Sequence, residues 1–332
     1  MKLNLIALFL LLFVGVVHAQ LPSNFEETTL VSPSDSLELS VLIAYPETEP
    51  TAIVQLVHGM CEHKERYIPL MRFLSQHGYI CVIHDHRGHG KSVRTTDDLG
   101  YFYAGGYMAM VDDTHAVTQF IKQQHTELPL YLFGHSMGSM VARSYTKRYD
   151  NELAGLIVCG SPSYNATNGI GKSIAKCDAK KHGDHYRSTQ MQKLAFGTYN
   201  KSFGKVSSPN AWICSDTAVV AAYDASPLCN YIFTSNGFYN LFALMDDAYN
   251  RKDWHVVNPQ LPIWFISGEE DPCLISLRKF NHAVDNMKKV GYVNVNVTSK
   301  LYPHMRHEIV NELGKEQVWN DILSQLTNWQ KK

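Results

Sequence analysis

The chain has 332 residues, 45% of them hydrophobic, and a formal net charge of -1 at pH 7. This is ample apolar material for a large core, and it favours one domain with an insertion over two independent units. Because positive and negative charges nearly balance, the chain lacks the excess of positive charge that binds nucleic acid. Nucleic acid is therefore excluded as a partner.

Residues 1–19 have the features of a secretory signal peptide. A basic start precedes an almost wholly apolar run from Leu5 to Val17, and small residues precede a predicted cleavage after Ala19. The run is short for a bilayer, which needs ~20 apolar residues, so a cleaved signal is favoured over an uncleaved membrane anchor. We therefore expect a secreted or periplasmic protein.

The rest of the chain alternates between predicted strands and predicted helices. The strands are short apolar runs at Leu37–Tyr45, Ala52–Val57, Tyr79–Ile83, Leu130–Phe133, Leu156–Cys159, Ile263–Ser267 and Val293–Leu301. Helical spacing marks Tyr67–Gln76, Gly106–Gln124, Met137–Tyr145, Ser276–Val290 and a last helix with Val318, Ile322, Leu326 and Trp329 on one face. This alternation predicts an α/β fold, with a mostly parallel central sheet covered by helices on both faces.

Residues 163–258 break the alternation and predict a mostly helical cap, inserted into a core made of residues 20–162 and 259–332. A basic stretch from Lys172 to Arg187 precedes clustered aromatic side chains. Most of these aromatics are expected to form the core of the cap, and a minority are expected to line an apolar ligand site.

The seven cysteines give two expectations. Cys81 and Cys159 lie in apolar strands and are predicted to be buried thiols. Cys177, Cys214 and Cys229 lie in the cap segment, where a disulfide between two of them is an open alternative.

The pentapeptide Gly134-His135-Ser136-Met137-Gly138 lies between a predicted strand and a predicted helix. Strand, Gly-x-Ser-x-Gly and helix form the context of a nucleophile elbow. The tight turn is expected to strain Ser136 and to raise its hydroxyl above the sheet. A Cβ at Gly134 or Gly138 would collide with neighbouring chain. Ser136 is therefore the predicted nucleophile, and the alternative is an ordinary glycine-rich turn.

A serine nucleophile needs a histidine base that a carboxylate orients, and in sheets of this type the chain order is Ser, acid, His. Asp271 follows a late strand and is the predicted acid, with Glu269 and Glu270 as the alternatives. His307 follows the last strand and is the predicted base, with His304 as the alternative.

The oxyanion of such a reaction needs two backbone N–H donors. The residue after the nucleophile, Met137, supplies one, and the loop after an early strand supplies the other, for which Met60 is the candidate. His84, His86 and His89 are close in sequence, but their spacing is poor for one cluster, so no metal site is expected.

Several motifs occur together: His58-Gly59-Met60-Cys61-Glu62-His63, Arg66-Tyr67, Asp85-x-Arg87-Gly88-His89-Gly90-x-Ser92, the elbow pentapeptide and Arg306-His307-Glu308. From about residue 40 to its end, the chain resembles the monoacylglycerol lipase and lysophospholipase group of α/β-hydrolases, which is often filed under the serine aminopeptidase S33 heading. The resemblance implies an α/β-hydrolase fold with a helical cap after the sixth strand. It places nucleophile, acid and base on Ser136, Asp271 and His307, and it implies ester hydrolysis without a cofactor.

Two positions depart from the pattern of this family. Cys61 stands where glycine is usual, beside the oxyanion amide, and a positive φ there would strain it. Ser139 stands where a second glycine is common, in the first helical turn after the elbow. Glu62, Arg66 and other charged motif residues resemble structural ties that position loops around the site.

The expected activity is that of a secreted serine hydrolase that cleaves esters of single-chain lipids, monoacylglycerol or lysophospholipid, through an acyl-enzyme. Beyond that substrate, a transient contact of the cap with a membrane surface is an open alternative, and the sequence does not specify an oligomeric state. One alternative is an S33-type aminopeptidase, which would need an acidic pocket where the cap is basic and apolar. The other is an inert binding protein, against which the complete set of serine, aspartate and histidine argues.

Overall fold

The computed structural model describes residues 21–331, so the predicted signal peptide lies outside the described residues. The strands are β1 (Phe25–Val31), β2 (Glu38–Ala44), β3 (Ala52–Val57), β4 (Tyr79–His84), β5 (Leu130–His135), β6 (Gly155–Cys159), β7 (Ile263–Gly268) and β8 (Val297–Tyr302). The α-helices are α1 (Ile68–Ser75), α2 (Gly106–Gln124), α3 (Met137–Tyr149), α4 (Asn168–His182), α5 (Thr189–Phe196), α6 (Thr217–Ala225), α7 (Ser235–Tyr249), α8 (Leu277–Val290) and α9 (Lys315–Gln330). Within residues 21–331, none of these helices combines the length and apolarity that a membrane span requires.

The eight strands form one sheet in the order β1-β2-β4-β3-β5-β6-β7-β8. β1 and β2 pair antiparallel, as do β2 and β4, and every later pair is parallel. The predicted α/β-hydrolase architecture with a mostly parallel sheet is therefore confirmed. Because β3 and β5 are neighbours, with Val57 opposite Gly134, the loop after β3 lies beside the turn after β5.

Two apolar layers hold helices against the two faces of the sheet. On one face α1 and α9 bury Leu70, Leu74, Val318, Ile322 and Leu326 against the sheet. On the other face α2, α3 and α8 bury Val117, Ile121, Val141, Tyr145, Phe280 and Met287. Each such side chain contributes about 1.5–3 kcal/mol relative to its exposed state.

Two elements differ from the sequence prediction. The last strand begins at Val297, because Asn294–Asn296 form a short 3-10 helix, in keeping with the turn preference of asparagine. The edge strand β1 was not predicted. Its FEETTLV sequence has only exposed and half-buried side chains, so it lacks the apolar run that marks the inner strands.

Residues 163–258 hold α4 to α7 and two short 3-10 helices, Lys201–Phe203 and Ala211–Ile213. The disulfide considered for this segment is not formed, since all seven cysteines are free thiols. Cys177 lies exposed on α4, whereas Cys214 is buried with its Sγ 3.6 Å from the carbonyl oxygen of Asn311. Cys81 and Cys159 are buried, as predicted.

Candidate active site

Ser136 occupies the turn between β5 and α3 in a strained backbone conformation. Its φ is 53° and its ψ is -120°, a sparsely populated region that costs about 1–3 kcal/mol. The two glycines of the motif make the turn sterically feasible. A Cβ at Gly138 would lie 2.1 Å from the carbonyl oxygen of Val57, and one at Gly134 would lie 2.4 Å from that of Gly138. The side chain of Ser136 is only half-buried, so a small molecule can reach it.

A chain of hydrogen bonds joins Ser136, His307 and Asp271. The Oγ of Ser136 lies 2.8 Å from Nε2 of His307, whose Nδ1 lies 2.9 Å from Oδ2 of Asp271. The carboxylate also accepts hydrogen bonds from the hydroxyl of Ser267 (2.9 Å) and the amide of Cys273 (2.8 Å). Burial alone would raise the pKa of Asp271, but His307 and these donors outweigh it and lower the pKa below its usual value. The site therefore holds a charged carboxylate behind the imidazole.

The structure does not bring the alternative acids and base into this chain. Glu269 and Glu270 are exposed. His304 is almost fully exposed, and its nearest acidic partner is Glu270 at 3.7 Å.

The two backbone amides predicted to form an oxyanion hole have no acceptor in the part of the chain that the structure describes. Met137 is the first residue of α3, so its amide has no acceptor within the helix. Within residues 21–331, the amide of Met60 donates no hydrogen bond to the protein. Met60 follows β3 and Met137 follows β5, so neighbouring strands deliver both groups to one place.

Cys61 has a φ of 53°, in the left-handed region that favours glycine. The strain expected at this departure from the family pattern is therefore present, beside the Met60 amide. The Cys61 side chain is buried, and its thiol donates to the carbonyl oxygen of Tyr231 at 3.3 Å.

A buried ion pair between Glu62 and His135 links the loops of the site. Glu62 Oε1 accepts from the amide of Gly59 at 3.2 Å and lies 2.9 Å from Nδ1 of His135. The other ring nitrogen of His135 lies 3.3 Å from the carbonyl oxygen of His307. Arg66 pairs with both Glu62 and Glu308. The oxyanion loop, the elbow and the histidine loop are thus joined by side chains.

Electrostatics keeps both members of this pair charged. Burial by itself would raise the pKa of Glu62, but His135 and Arg66 outweigh it and hold that pKa well below its usual range. Burial likewise opposes the charged form of His135, yet Glu62 raises its pKa above the usual value. The role of Glu62 and Arg66 as ties was predicted, whereas His135 was not, although it lies inside the elbow motif.

The histidines considered as a metal site form a neutral, buried cluster with His58. Burial lowers the pKa of His58 to about 4 and that of His84 and His89 to about 3, and it also lowers the pKa of His86 well below its usual value. Within residues 21–331, the only three-residue group with ligand atoms close enough for a metal consists of Cys273 and the acid and base described above. The three histidines of the sequence motif do not form such a group.

Aromatic side chains of the cap segment reach the histidine. The Trp212 ring centroid lies 5.0 Å from that of His307. Tyr199 meets Trp212 edge-on at 5.0 Å, and Phe196 stacks on it at 6.2 Å. Trp212 is one of the clustered aromatic side chains predicted for the cap, but no contact of it with the histidine was predicted. Its contact with His307 joins distant parts of the chain and has no local signal in the sequence.

Comparisons with known proteins agree with this fold. Residues 48–314 match the family model described as serine aminopeptidase, S33. A monoacylglycerol lipase of Mycolicibacterium smegmatis is 27% identical over 84% of this chain and 89% of its own length. A monoglyceride lipase of Rattus norvegicus is 22% identical over 86% of this chain and 84% of its own. The crystal structure of a thermostable carboxyl esterase from Bacillus coagulans superposes with a TM-score of 0.85 at 27% identity, covering 93% of this chain and all of that one.

The strain at Cys61 predicts an unusual order of stability. Cys61→Gly and Cys61→Ala both remove the thiol, but only alanine keeps the Cβ that disfavours a positive φ. We expect Cys61→Gly to be the more stable variant by about 1 kcal/mol, measured by guanidinium unfolding. At a position with a negative φ, a glycine variant is less stable than an alanine variant by a similar amount. A Cys61→Ala protein as stable as Cys61→Gly, or more stable, would therefore contradict the assigned strain.

The Glu62–His135 pair predicts a pH-dependent stability. In the folded protein the pKa of Glu62 lies below its ordinary 4.5 and that of His135 lies above its ordinary 6.5. The stabilisation is therefore complete between pH 4.5 and 6.5. It declines as the pH rises from 6.5 through the raised pKa of His135, and as it falls from 4.5 through the lowered pKa of Glu62.

Glu62→Gln should consequently lose about 3 kcal/mol of unfolding free energy at pH 5.5 and less at pH 9. The exposed Glu269→Gln serves as the matched control and should change stability by less than about 0.5 kcal/mol. Urea unfolding at pH 5.5 and pH 9 measures the free energy of unfolding of each variant and of the wild type. If Glu62→Gln loses the same free energy at both pH values, the two side chains are not a charged pair.

Proposed function

The chain belongs to the serine aminopeptidase S33 family, and on this premise we propose that it is a secreted serine hydrolase of single-chain lipid esters, monoacylglycerol or lysophospholipid, acting through an acyl-enzyme. The chain is a carboxylic ester hydrolase of the monoacylglycerol lipase type. The observation that carries the mechanism is the hydrogen-bonded chain from Ser136 through His307 to Asp271.

In the first half of the reaction, Ser136 Oγ attacks the ester carbonyl carbon while His307 Nε2 takes the hydroxyl proton. Asp271 holds Nδ1–H of the imidazole, which fixes the tautomer and stabilises the imidazolium that forms. The amides of Met60 and Met137 bind the oxyanion of the tetrahedral intermediate. One such donor is typically worth about 100- to 1,000-fold in rate.

His307 then returns the proton to the leaving alcohol, and the acyl group stays on Ser136. In the second half, water attacks the acyl carbonyl carbon as His307 takes a proton from it. His307 gives that proton to Ser136 Oγ as the bond between Oγ and the acyl group breaks, and the fatty acid leaves. The same base and the same oxyanion donors thus serve both halves, and no cofactor is needed.

The surroundings of the site favour a lipid ester over a peptide with a free amino terminus. Aromatic side chains of the cap segment lie against the histidine, and an apolar wall suits an acyl chain. An aminopeptidase would need a free carboxylate for the substrate ammonium. The nearby Glu62 and Glu308 are both buried and paired with Arg66.

Ser136→Ala should abolish ester turnover, with a loss of at least roughly 10,000-fold in kcat on a chromogenic medium-chain ester. Labelling by a fluorophosphonate probe should disappear in the same variant. Ser173→Ala is the control, because that exposed hydroxyl bonds only within α4. Full turnover in a folded Ser136→Ala protein would reject the assigned nucleophile.

The substrate class is tested with the same enzyme on monoacylglycerols, lysophospholipids and aminoacyl amides. We expect hydrolysis of at least one of the two lipid classes and none of the amides. Faster cleavage of the amides would support the aminopeptidase instead.

The proposal of export depends on residues 1–19 alone. A full-length protein made in a secreting host should be recovered outside the cytoplasm with Gln20 at its amino terminus, as read by amino-terminal sequencing. The same chain without residues 2–19 should stay in the cytoplasm. Recovery of the uncleaved chain in the membrane fraction would favour an anchor.

A further inference from the structure

Trp212 is held against His307 by hydrogen bonds on both sides of each residue. The guanidinium of Arg306 donates to the carbonyl oxygen of Ala211 at 2.6 Å, and the amide of Glu308 donates to that of Ile213 at 2.7 Å. The residue before Trp212 is thus bonded to the residue before His307, and the residue after Trp212 to the residue after His307. This pairing fixes the 5.0 Å distance between the two rings, which are inclined at 44°.

The indole ring is also fixed from its other sides. Phe196 stacks nearly parallel to it at 8°, and Tyr199 meets it at 85°. Phe196 and Tyr199 therefore hold the indole ring in place against the imidazole.

We propose that Trp212 is a positioning residue that stabilises the imidazolium form of His307, and this inference rests on the proposed function. A cation within about 6 Å of an indole ring is attracted by the negative face of the ring, whereas a neutral imidazole gains much less. His307 is neutral before attack and cationic in the tetrahedral intermediate. The contact is therefore stronger in the transition state than in the ground state, which is the condition for a contribution to kcat.

The other titratable and charged groups around the imidazole keep their own side chains when Trp212 is replaced. They are Asp271 at Nδ1 and Ser136 at Nε2, Cys273 beside the carboxylate, the His135 ring at 4.8 Å with Glu62 behind it, and Arg306, Glu308 and Arg66 around the histidine loop. Tyr199 packs on Trp212 itself, so Trp212→Phe, which keeps an aromatic ring beside it, is the matched variant.

The kinetic test compares the pH profiles of kcat/KM for the wild type, Trp212→Phe and Trp212→Leu on a medium-chain ester. In Trp212→Leu the imidazolium loses its stabilisation, so we expect kcat to fall roughly 3- to 10-fold and the acid limb to move about half a pH unit lower, with little change in KM. Trp212→Phe should keep most of the wild-type kcat, and its acid limb should stay close to that of the wild type. Trp254→Phe, a change far from the site, should leave the profile unchanged.

The opposite pattern would overturn the inference. If Trp212 is only an apolar wall, Trp212→Leu should raise KM and leave kcat and the acid limb in place. Unchanged kinetics in both Trp212 variants would equally reject it.

A fluorescence titration tests the contact without turnover, so it separates this inference from the proposed function. A protonated imidazole quenches indole emission more than a neutral one. The emission of the wild type minus that of Trp212→Phe should fall as the pH is lowered, and His307→Gln should abolish the fall. A fall that persists in His307→Gln would overturn the inference even in an active enzyme, whereas a fall that depends on His307 would support the contact even in an inactive one.

Discussion

The buried ion pair of Glu62 and His135 is the interaction on which the geometry of the site depends. A parallel sheet delivers loops to one edge, but it does not fix how those loops sit relative to one another. Glu62 fixes the oxyanion loop through the amide of Gly59, and His135 holds the carbonyl oxygen of His307. Each loop therefore depends on a side chain from another loop. Burying two charges is costly, and only their mutual pairing and the added hydrogen bonds offset the desolvation.

Backbone strain is concentrated where this network is densest. Ser136 and Cys61 both have a φ of 53°, one carrying the nucleophile and the other following the Met60 amide. Each conformation costs on the order of 1–3 kcal/mol, so it persists only where its surroundings over-determine it. The glycine contacts that close the elbow and the ion pair that holds the oxyanion loop supply that constraint. Ser136 and the loop that carries Met60 are thus held in place by contacts within the protein itself.

The sequence alone was sufficient to predict the inner strands and the three side chains of the hydrogen-bonded chain, because local patterns of residues encode both. Apolar runs marked the inner strands, and the fixed order of serine, acid and histidine selected Asp271 and His307, which the structure places with Ser136 in one hydrogen-bonded chain. The edge strand β1 was not predicted, because it pairs with a strand on one side only and its side chains are largely exposed. The Glu62–His135 pair spans 73 positions, and the contact of the cap with the histidine loop spans 95. Such pairs follow from how the elements pack, which hydrophobic periodicity does not specify.

The cap segment is part of the site rather than an independent cover over it. Besides the two hydrogen bonds that flank Trp212, Glu312 accepts from the amide of Ser215 at 2.9 Å and from that of Arg306 at 2.8 Å, so one carboxylate joins the cap to the histidine loop. Hydrogen bonds that involve a charged group contribute about 1.5–3 kcal/mol each. Displacing residues 211–215 would break several of them together and would also remove the aromatic wall from the imidazole. Residues 211–215 and the histidine loop are therefore joined into one unit.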